Sequence, residues 1–209
     1  LGASYCHFRG FEIDGEVGTE DPTRPCPYYK IGILARPTWG YDSEGNPPLP
    51  SHHIVIEDCE VHDCSSSGIS FWVTLDSAIV NCDSHHNTDE LTPTLGDNAD
   101  GFNISTTIYW DDFELRRTIT SGTPTNSDPS VAVHSSGNRI IGCRAWRNSD
   151  DGFDAWGNDA VVLSSNESWE NGFPVLSPSV PGFLGNGEGF KLGRGSGGHT
   201  VENCTAWAN

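Results

Sequence analysis

The sequence predicts an all-β protein that folds as a right-handed parallel β-helix, a solenoid with coils of about 23 residues and long loop insertions. Three observations support this prediction. A phrase centred on cysteine recurs along the chain, and a second phrase with strand alternation follows it. Glycine and proline are also abundant, at 24 and 13 of the 209 residues, which suits many short strands and turns.

The first phrase reads IEDCEVHDC and recurs as IVNCDSHHN, IIGCRAWRN, LSSNESWEN and VENCTAWAN. Cys59 and Cys82 are 23 residues apart, as are Cys143 and Asn166, and the other intervals are longer by insertions of 38 and 15 residues. Stacked coils place equivalent residues above one another. The repeat therefore predicts a buried column in which these cysteines serve as small packing residues.

The second phrase reads SGISFW, DGFNIS, DGFDAW and EGFKLG in successive copies. In each copy the glycine is followed by apolar and variable residues in alternation, which is typical of a strand. The alternation predicts that Ile69, Phe102, Phe153 and Phe190 point inward. The next residue of each copy then points outward: Ser70, Asn103, Asp154 and Lys191.

The outward positions of three coils gather acidic side chains around one lysine. The members of this patch are Asp100, Asp150, Asp151, Asp154, Glu188 and Lys191. Each Asp-Gly pair taken alone is explained by a turn that the aspartate caps. Carboxylates stacked about 5 Å apart repel one another unless a cation lies between them. Oxygen ligands from several backbone positions suit Ca²⁺, and their spacing does not match an EF-hand.

Lys191 has two interpretations. It forms a surface ion pair with Asp154, or it acts as a Brønsted base. Carboxylates alone raise the pKa of a lysine, whereas a nearby divalent cation favours the neutral amine. The metal and the base therefore support each other as hypotheses.

Charge and composition narrow the partners. The formal net charge is −18, so nucleic acid and anionic membrane surfaces are poor partners. No stretch approaches the ~20 apolar residues that span a bilayer. We expect a secreted monomer. Trp156 is a candidate for stacking on a sugar, and Arg147 and Arg194 are candidates for binding carboxylates, although plain solvent-facing side chains explain all three as well.

The phrases NADGF, NSDDGFDAW and GEGFKLGRG, in this order, resemble the family-9 polysaccharide lyases, which are parallel β-helix pectate lyases. The resemblance covers roughly residues 51–209. It implies a Ca²⁺ site formed by Asp100, Asp150, Asp151 and Asp154, with Lys191 as the catalytic base. The implied reaction is β-elimination in an acidic polysaccharide, with pectate or polygalacturonate as the first candidate.

Two other functions stay open. One is a β-helix glycoside hydrolase that uses paired aspartates such as Asp150 and Asp151. The other is a non-catalytic, calcium-stabilised β-helix that binds carbohydrate. We expect residues 1–209 to be one domain, truncated at both ends, with loop insertions at 16–50 and 104–135. If 104–135 formed an extra coil, Asp100 would lie about 10 Å from the other aspartates and would not share their ion.

Overall fold

The computed structural model describes residues 4–15, 31–37, 50–90, 95–105, 135–156, 158–175, 179–193 and 197–209. Within these ranges the regular secondary structure consists of β-strands, as predicted. These described residues include no helix of the length and apolar character needed to cross a bilayer. Much of the two expected insertions, residues 16–30, 38–49 and 106–134, lies outside the described residues.

The strands form three parallel sheets, and each of the first five coils contributes one strand to each sheet, whereas the described part of the last coil contributes to two of them. Sheet A contains β1 (His7–Arg9), β5 (Val55–Glu57), β9 (Ala78–Val80), β12 (Arg139–Ile141), β15 (Val162–Ser164) and β18 (Thr200–Glu202). Sheet B contains β2 (Glu12–Asp14), β6 (Glu60–His62), β10 (Asp83–His85), β13 (Arg144–Trp146), β16 (Glu167–Trp169) and β19 (Thr205–Trp207). Sheet C contains β3 (Ile33–Ala35), β7 (Ile69–Trp72), β11 (Phe102–Ser105), β14 (Phe153–Trp156) and β17 (Phe190–Gly193). The short strands β4 (Ser51–His52) and β8 (Thr74–Leu75) pair separately.

The apolar positions of sheet C form one inward-facing column, as the alternation predicts. Phe102 is in register with Ile69 on one side and with Phe153 on the other, and Phe153 is in register with Phe190. The rings of the three phenylalanines stack with centroids 4.9 Å apart. This spacing is the separation of neighbouring strands, so the aromatic core follows directly from the coil repeat.

The predicted cysteine column is confirmed. The backbone N–H of Cys59 donates to the Sγ of Cys82 at 3.5 Å, and that of Cys82 donates to the Sγ of Cys143 at 3.3 Å. Asn166 continues the column, because its Oδ1 accepts from the N–H of Cys143 at 2.9 Å. The cysteines of this column are free thiols.

An asparagine ladder runs parallel to the cysteine column, five residues further along each coil. The Nδ2 of Asn87 donates to the Oδ1 of Asn148 at 2.8 Å, and the Nδ2 of Asn148 donates to that of Asn171 at 2.9 Å. Asn171 repeats the contact with Asn209 at 2.8 Å. Each amide thus pairs with the next coil, which satisfies polar groups that would otherwise be costly to bury at the turn.

The expected insertion at 16–50 is wrong for Ile33–Ala35, which form strand β3. Ile33 is in register with Ile69, and its apolar side chain packs against the core. The expected insertion at 104–135 begins too early, because Ile104 and Ser105 complete strand β11. Strand β11 pairs directly with β14, so the coil of Asp100 is adjacent to the coil of Asp151.

Candidate functional site

The acidic patch lies where each coil enters sheet C, at glycines that permit close approach of the coils. A Cβ on Gly152 would lie 2.1 Å from the Oγ of Ser168 and 2.9 Å from the carbonyl oxygen of Gly189. Only glycine fits such a position without displacing a neighbouring coil. The tight approach places the preceding residue, Asp151, directly between the equivalent residues of the adjacent coils.

Three carboxyl groups converge at this point. One carboxylate oxygen each from Asp100, Asp150 and Asp151 lies within 4.8 Å of the other two, and all three residues are buried. Asp100 is held by the Oγ of Ser67 at 3.1 Å and the Nδ2 of Asn103 at 2.9 Å, both of which donate to its Oδ2. The cluster therefore has fixed geometry and limited access to water.

Backbone groups of the following coil hold the other two carboxylates. The N–H of Asn186 donates to the Oδ1 of Asp150 at 3.1 Å, and the N–H of Glu188 donates to the Oδ1 of Asp151 at 2.7 Å. With its amide nitrogen turned toward the cluster, Asn186 also donates to Asp150 at 2.9 Å and to Asp151 at 3.2 Å. The structure thus brings residue 186, which the repeat does not include, into the site.

Lys191 lies on the same side of sheet C as the aspartates. Its Nζ donates to the Oδ2 of Asp151 at 2.7 Å and lies 3.8 Å from the Oδ2 of Asp154. Asp154 and Lys191 are register partners on β14 and β17, as the 23-residue step predicts. Asp154 therefore borders the three-carboxylate group on the lysine side and is not part of that group.

Burial raises the pKa of each of the three clustered carboxyls. The pKa of Asp100 rises to about 7, with the charge of Asp154 as the next cause. The pKa of Asp150 rises to about 9 and that of Asp151 to about 8, in both cases with Asp100 as the next cause. The three groups therefore cannot all be ionised near neutral pH unless positive charge is added to the cluster.

The balance of effects at Lys191 is the reverse of what a base requires. Burial alone lowers the pKa of Lys191, but the carboxylates of Asp154 and Asp151 outweigh burial and raise this pKa above its ordinary value. In this arrangement the amine is held as an ammonium ion. A general base must be neutral, so Lys191 needs the charge of the carboxylates to be compensated before it accepts a proton.

The donor set fits a hard divalent cation. The cluster presents only carboxylate oxygens, comes preassembled on two adjacent coils, and carries excess negative charge when ionised. Ca²⁺ prefers such oxygen ligands from several backbone positions. Asp100, Asp150 and Asp151 would hold the ion, with Asp154 beside them.

The structure describes the three predicted substrate-binding residues only in part. Arg147 lies on the turn between sheets B and C, where its Nε donates to the Oε2 of Glu170 at 2.7 Å, and it does not contact the aspartates of the cluster. The backbone of Trp156 pairs with Gly193 at the end of β14, and its side chain lies outside the description. Arg194 lies outside the described residues.

Asn186 and Ser67 stabilise the cluster, and sequence reasoning assigned neither of them a role in holding it. Ser67 occupies the position of Asp100 and Asp151 in the preceding copy of the glycine phrase, and this alignment is the signal for its place beside the site. Asn186 lies in an insertion, and no repeat position marks it.

The fold and the site together define a parallel β-helix that carries a buried carboxylate cluster next to a lysine. Residues 126–209 match the family described as "Pel9A-like, right handed beta helix region". This match confirms the predicted right-handed β-helix and the resemblance to family-9 pectate lyases.

Among curated proteins, the chain is 43% identical over 76 residues to pectate lyase L of Dickeya dadantii, which is 35% of this chain and 17% of that protein. It is 26% identical over 156 residues to pectate lyase PEL9 of Emericella nidulans, which is 61% of this chain and 38% of that protein. The chain therefore spans well under half the length of these relatives.

Two solved structures resemble the chain. A structure titled "Rhamnogalacturonan lyase" matches 100% of this chain and 44% of its own length, with a TM-score of 0.51 and 22% identity. The crystal structure of pectate lyase Pel9A matches 97% of this chain and 53% of its own length, with a TM-score of 0.42 and 19% identity. At this level of identity the first likeness concerns the fold alone.

Proposed function

We propose that this chain carries the catalytic region of a calcium-dependent polysaccharide lyase that cleaves an acidic polysaccharide by β-elimination. Polygalacturonate is the first candidate substrate, because the matched curated relatives are named pectate lyases. The observation that carries the proposal is the contact between Lys191 and the buried cluster, with Nζ 2.7 Å from the Oδ2 of Asp151.

A lysine and three aspartates can divide the work of an elimination. When bound, Ca²⁺ supplies positive charge that neutralises a uronate carboxylate and acidifies the adjacent C5 hydrogen. The proposed ligands are Asp100, Asp150, Asp151 and Asp154. Hydrogen bonds from Ser67, Asn103 and the backbone keep the oxygens of Asp100, Asp150 and Asp151 in place before any ion binds, and Asp154 lies at the border of this group.

Lys191 is the proposed base. Its neutral amine takes the proton from C5, and the electron pair of that bond forms the C4–C5 double bond. The bond from C4 to the glycosidic oxygen breaks, and the departing oxygen gains a proton. The products are an unsaturated uronate end and a new end on the other fragment, with no water consumed. The side chain of Lys191 is only 21% exposed, which limits competition from solvent for the amine.

The site geometry favours elimination over hydrolysis by paired aspartates. A hydrolase needs one protonated and one ionised carboxyl with room for substrate between them. Here Asp150 and Asp151 lie within 4.8 Å of each other and of Asp100, all buried. The amine of Lys191, which is hydrogen-bonded to Asp151, has no role in hydrolysis by paired carboxyls, whereas an elimination needs a base.

The test is a difference-absorbance assay for the C4–C5 double bond on polygalacturonate, alginate and glycosaminoglycans, each with Ca²⁺ or with a chelator. We expect absorbance to rise with one of these polymers and to stop on chelation. Lys191→Ala should abolish the signal, and Arg9→Ala, an exposed ion-paired cation on the first coil, is the matched control. Saturated products from the same polymers would support the hydrolase instead, and product formation that survives chelation would remove the metal from the proposal.

An extracellular location remains a prediction. Acidic plant and bacterial polysaccharides occur outside cells, and the composition of the chain is typical of secreted proteins. Fractionation of a culture that expresses the natural full-length protein would test the location directly.

A further inference from the structure

A groove opens on the turn between sheets B and C, in the part of the coil that leads to Asp150. Its volume is ≈ 410 Å³, and its lining consists of His86, Arg147, Glu170, Phe173, Pro174 and Val175. Three of these residues come from coil turns and three from the insertion that follows β16. The lining is mixed, with one guanidinium, one carboxylate, one imidazole and an apolar wall.

The groove lies on the three coils that carry Asp100, Asp150 and Lys191. His86, Arg147 and Glu170 hold equivalent turn positions with φ of 55°, 54° and 54°, so their side chains project from one column. Arg147 precedes Asp150 by three residues, which limits the separation of their Cα atoms to about 11 Å. A polymer of a few pyranose units is long enough to span a separation of this size.

Phe173 forms the apolar wall of the groove and is 54% exposed. Other exposed aromatic side chains, such as Phe8, Phe11 and Trp207, lie on the first and last coils of the stack. Phe173 instead lies on an insertion that is tied to the coil of Asp100, two coils away, because the N–H of Val175 donates to the Oε1 of Glu90. An exposed ring held in this way is a platform on which a sugar face can pack.

Arg147 gives the groove a positive group suited to a carboxylate. Among the described residues its guanidinium makes one hydrogen bond, from Nε to the Oε2 of Glu170. The four remaining N–H donors are available for a second carboxylate. The side chains of Arg147 and Glu170 are 57% and 45% exposed, and an ion pair this exposed contributes little stability and exchanges readily.

We propose that this groove is a substrate subsite that binds one uronate residue of the polymer, with Arg147 pairing with its carboxylate and Phe173 packing on its ring. The identity of the ligand rests on the proposed function, because a uronate polymer is the proposed substrate. Glu170 opposes the incoming carboxylate and competes for Arg147, so it limits the affinity of the subsite.

The test measures binding and turnover separately, with oligogalacturonates and oligoalginates of four to six units as probes. Arg147→Gln removes the charge and keeps a shorter, polar side chain, and Phe173→Ala removes the platform. Arg144→Gln is the matched control for charge, since Arg144 lies on the same coil, is 54% exposed and also pairs with a carboxylate. Phe11→Ala is the control for the ring, at 53% exposure.

We expect Arg147→Gln and Phe173→Ala each to raise the dissociation constant of the bound oligouronate by about tenfold, with kcat changed less than twofold. Arg147→Lys should recover part of the affinity. Glu170→Gln should lower the dissociation constant two- to fivefold, and Glu167→Gln, on strand β16 just before it, should not. A methyl-esterified oligomer should bind equally to the unaltered protein and to Arg147→Gln.

The outcomes separate the two proposals. If the unaltered protein cleaves a uronate polymer but Arg147→Gln and Phe173→Ala behave like their controls, the subsite is wrong and the lyase stands. If oligouronates bind through Arg147 and Phe173 but no unsaturated product forms, the subsite stands and the lyase is wrong. Failure of the unaltered protein to bind any of these oligouronates overturns the subsite.

Discussion

Replacing Asp150 with asparagine should change how the stability of the chelated protein depends on pH. Asp150 is 2% exposed, and burial raises its pKa from 3.8 to about 9. The folded protein therefore holds a proton on Asp150 that the unfolded chain releases above about pH 4. A group with a raised folded pKa of this kind stabilises the protein at low pH and loses that contribution as the pH rises toward 9.

The slope follows from the number of protons involved. When one proton is bound only in the folded state, the free energy of unfolding falls by about 1.4 kcal/mol for each unit by which the pH rises. Between pH 6 and pH 8 the proton on Asp150 alone therefore lowers the free energy of unfolding by about 3 kcal/mol. Asp150→Asn carries no proton to release, so its stability should fall by about 3 kcal/mol less than that of the unaltered protein over this interval.

The assay is urea unfolding followed by tryptophan fluorescence at pH 6, 7 and 8, in a chelator and again in millimolar Ca²⁺. Asp97→Asn, at an exposed position, controls for the loss of one negative charge. In Ca²⁺ the free energy of unfolding of the unaltered protein should fall less steeply with pH, because the cation favours ionised carboxylates. Equal slopes for Asp150→Asn and the unaltered protein in chelator would refute the reasoning about buried, protonated carboxyls.

Three further substitutions test the site and the solenoid. Lys191→Ala should lower the rate of unsaturated product formation at least a thousandfold, with a circular dichroism spectrum like that of the unaltered protein; a tenfold loss or less would exclude Lys191 as the base. Phe153→Ala should lower the free energy of unfolding by about 3–5 kcal/mol, because the ring of Phe153 is fully buried between those of Phe102 and Phe190. Phe173→Ala should lower it by under about 1 kcal/mol, because that ring is exposed. Similar losses for the two substitutions would contradict the assigned core. Asn148→Ala should cost about 2–4 kcal/mol, since it removes the Oδ1 that accepts from the N–H and the Nδ2 of Asn87 and the Nδ2 that donates to Asn171; a change under 1 kcal/mol would show that the ladder adds no stability.

The repeat phrases predicted which residues face each other across coils, and the structure agrees in detail. Cys59, Cys82 and Cys143 stack as expected, and Asp154 is in register with Lys191. These pairings were predictable because parallel strands in a solenoid share one hydrogen-bond register, so equal spacing along the chain becomes vertical alignment. The residues of the asparagine ladder recur at the end of the first phrase, but only the structure shows the hydrogen bonds between them.

The insertions were not predictable in the same way. Residues 33–35 were expected in a loop and form a strand, because a single short apolar run carries too little alternation to identify itself. Asn186 and Phe173 belong to a segment with no counterpart in the other coils, so nothing in their spacing indicates what they contact.

From the amino-acid sequence alone follow the solenoid, its core columns and the gathering of Asp100, Asp150, Asp151 and Lys191 on one side of a sheet, because local alternation and a regular period are enough to define a register. Only the folded chain determines that the carboxyls are buried enough to hold protons, that Lys191 donates a hydrogen bond to Asp151, and that a groove opens at the turn lined by Arg147. Burial and cavity shape depend on all the segments that surround a residue at once, and most of those segments are distant in sequence.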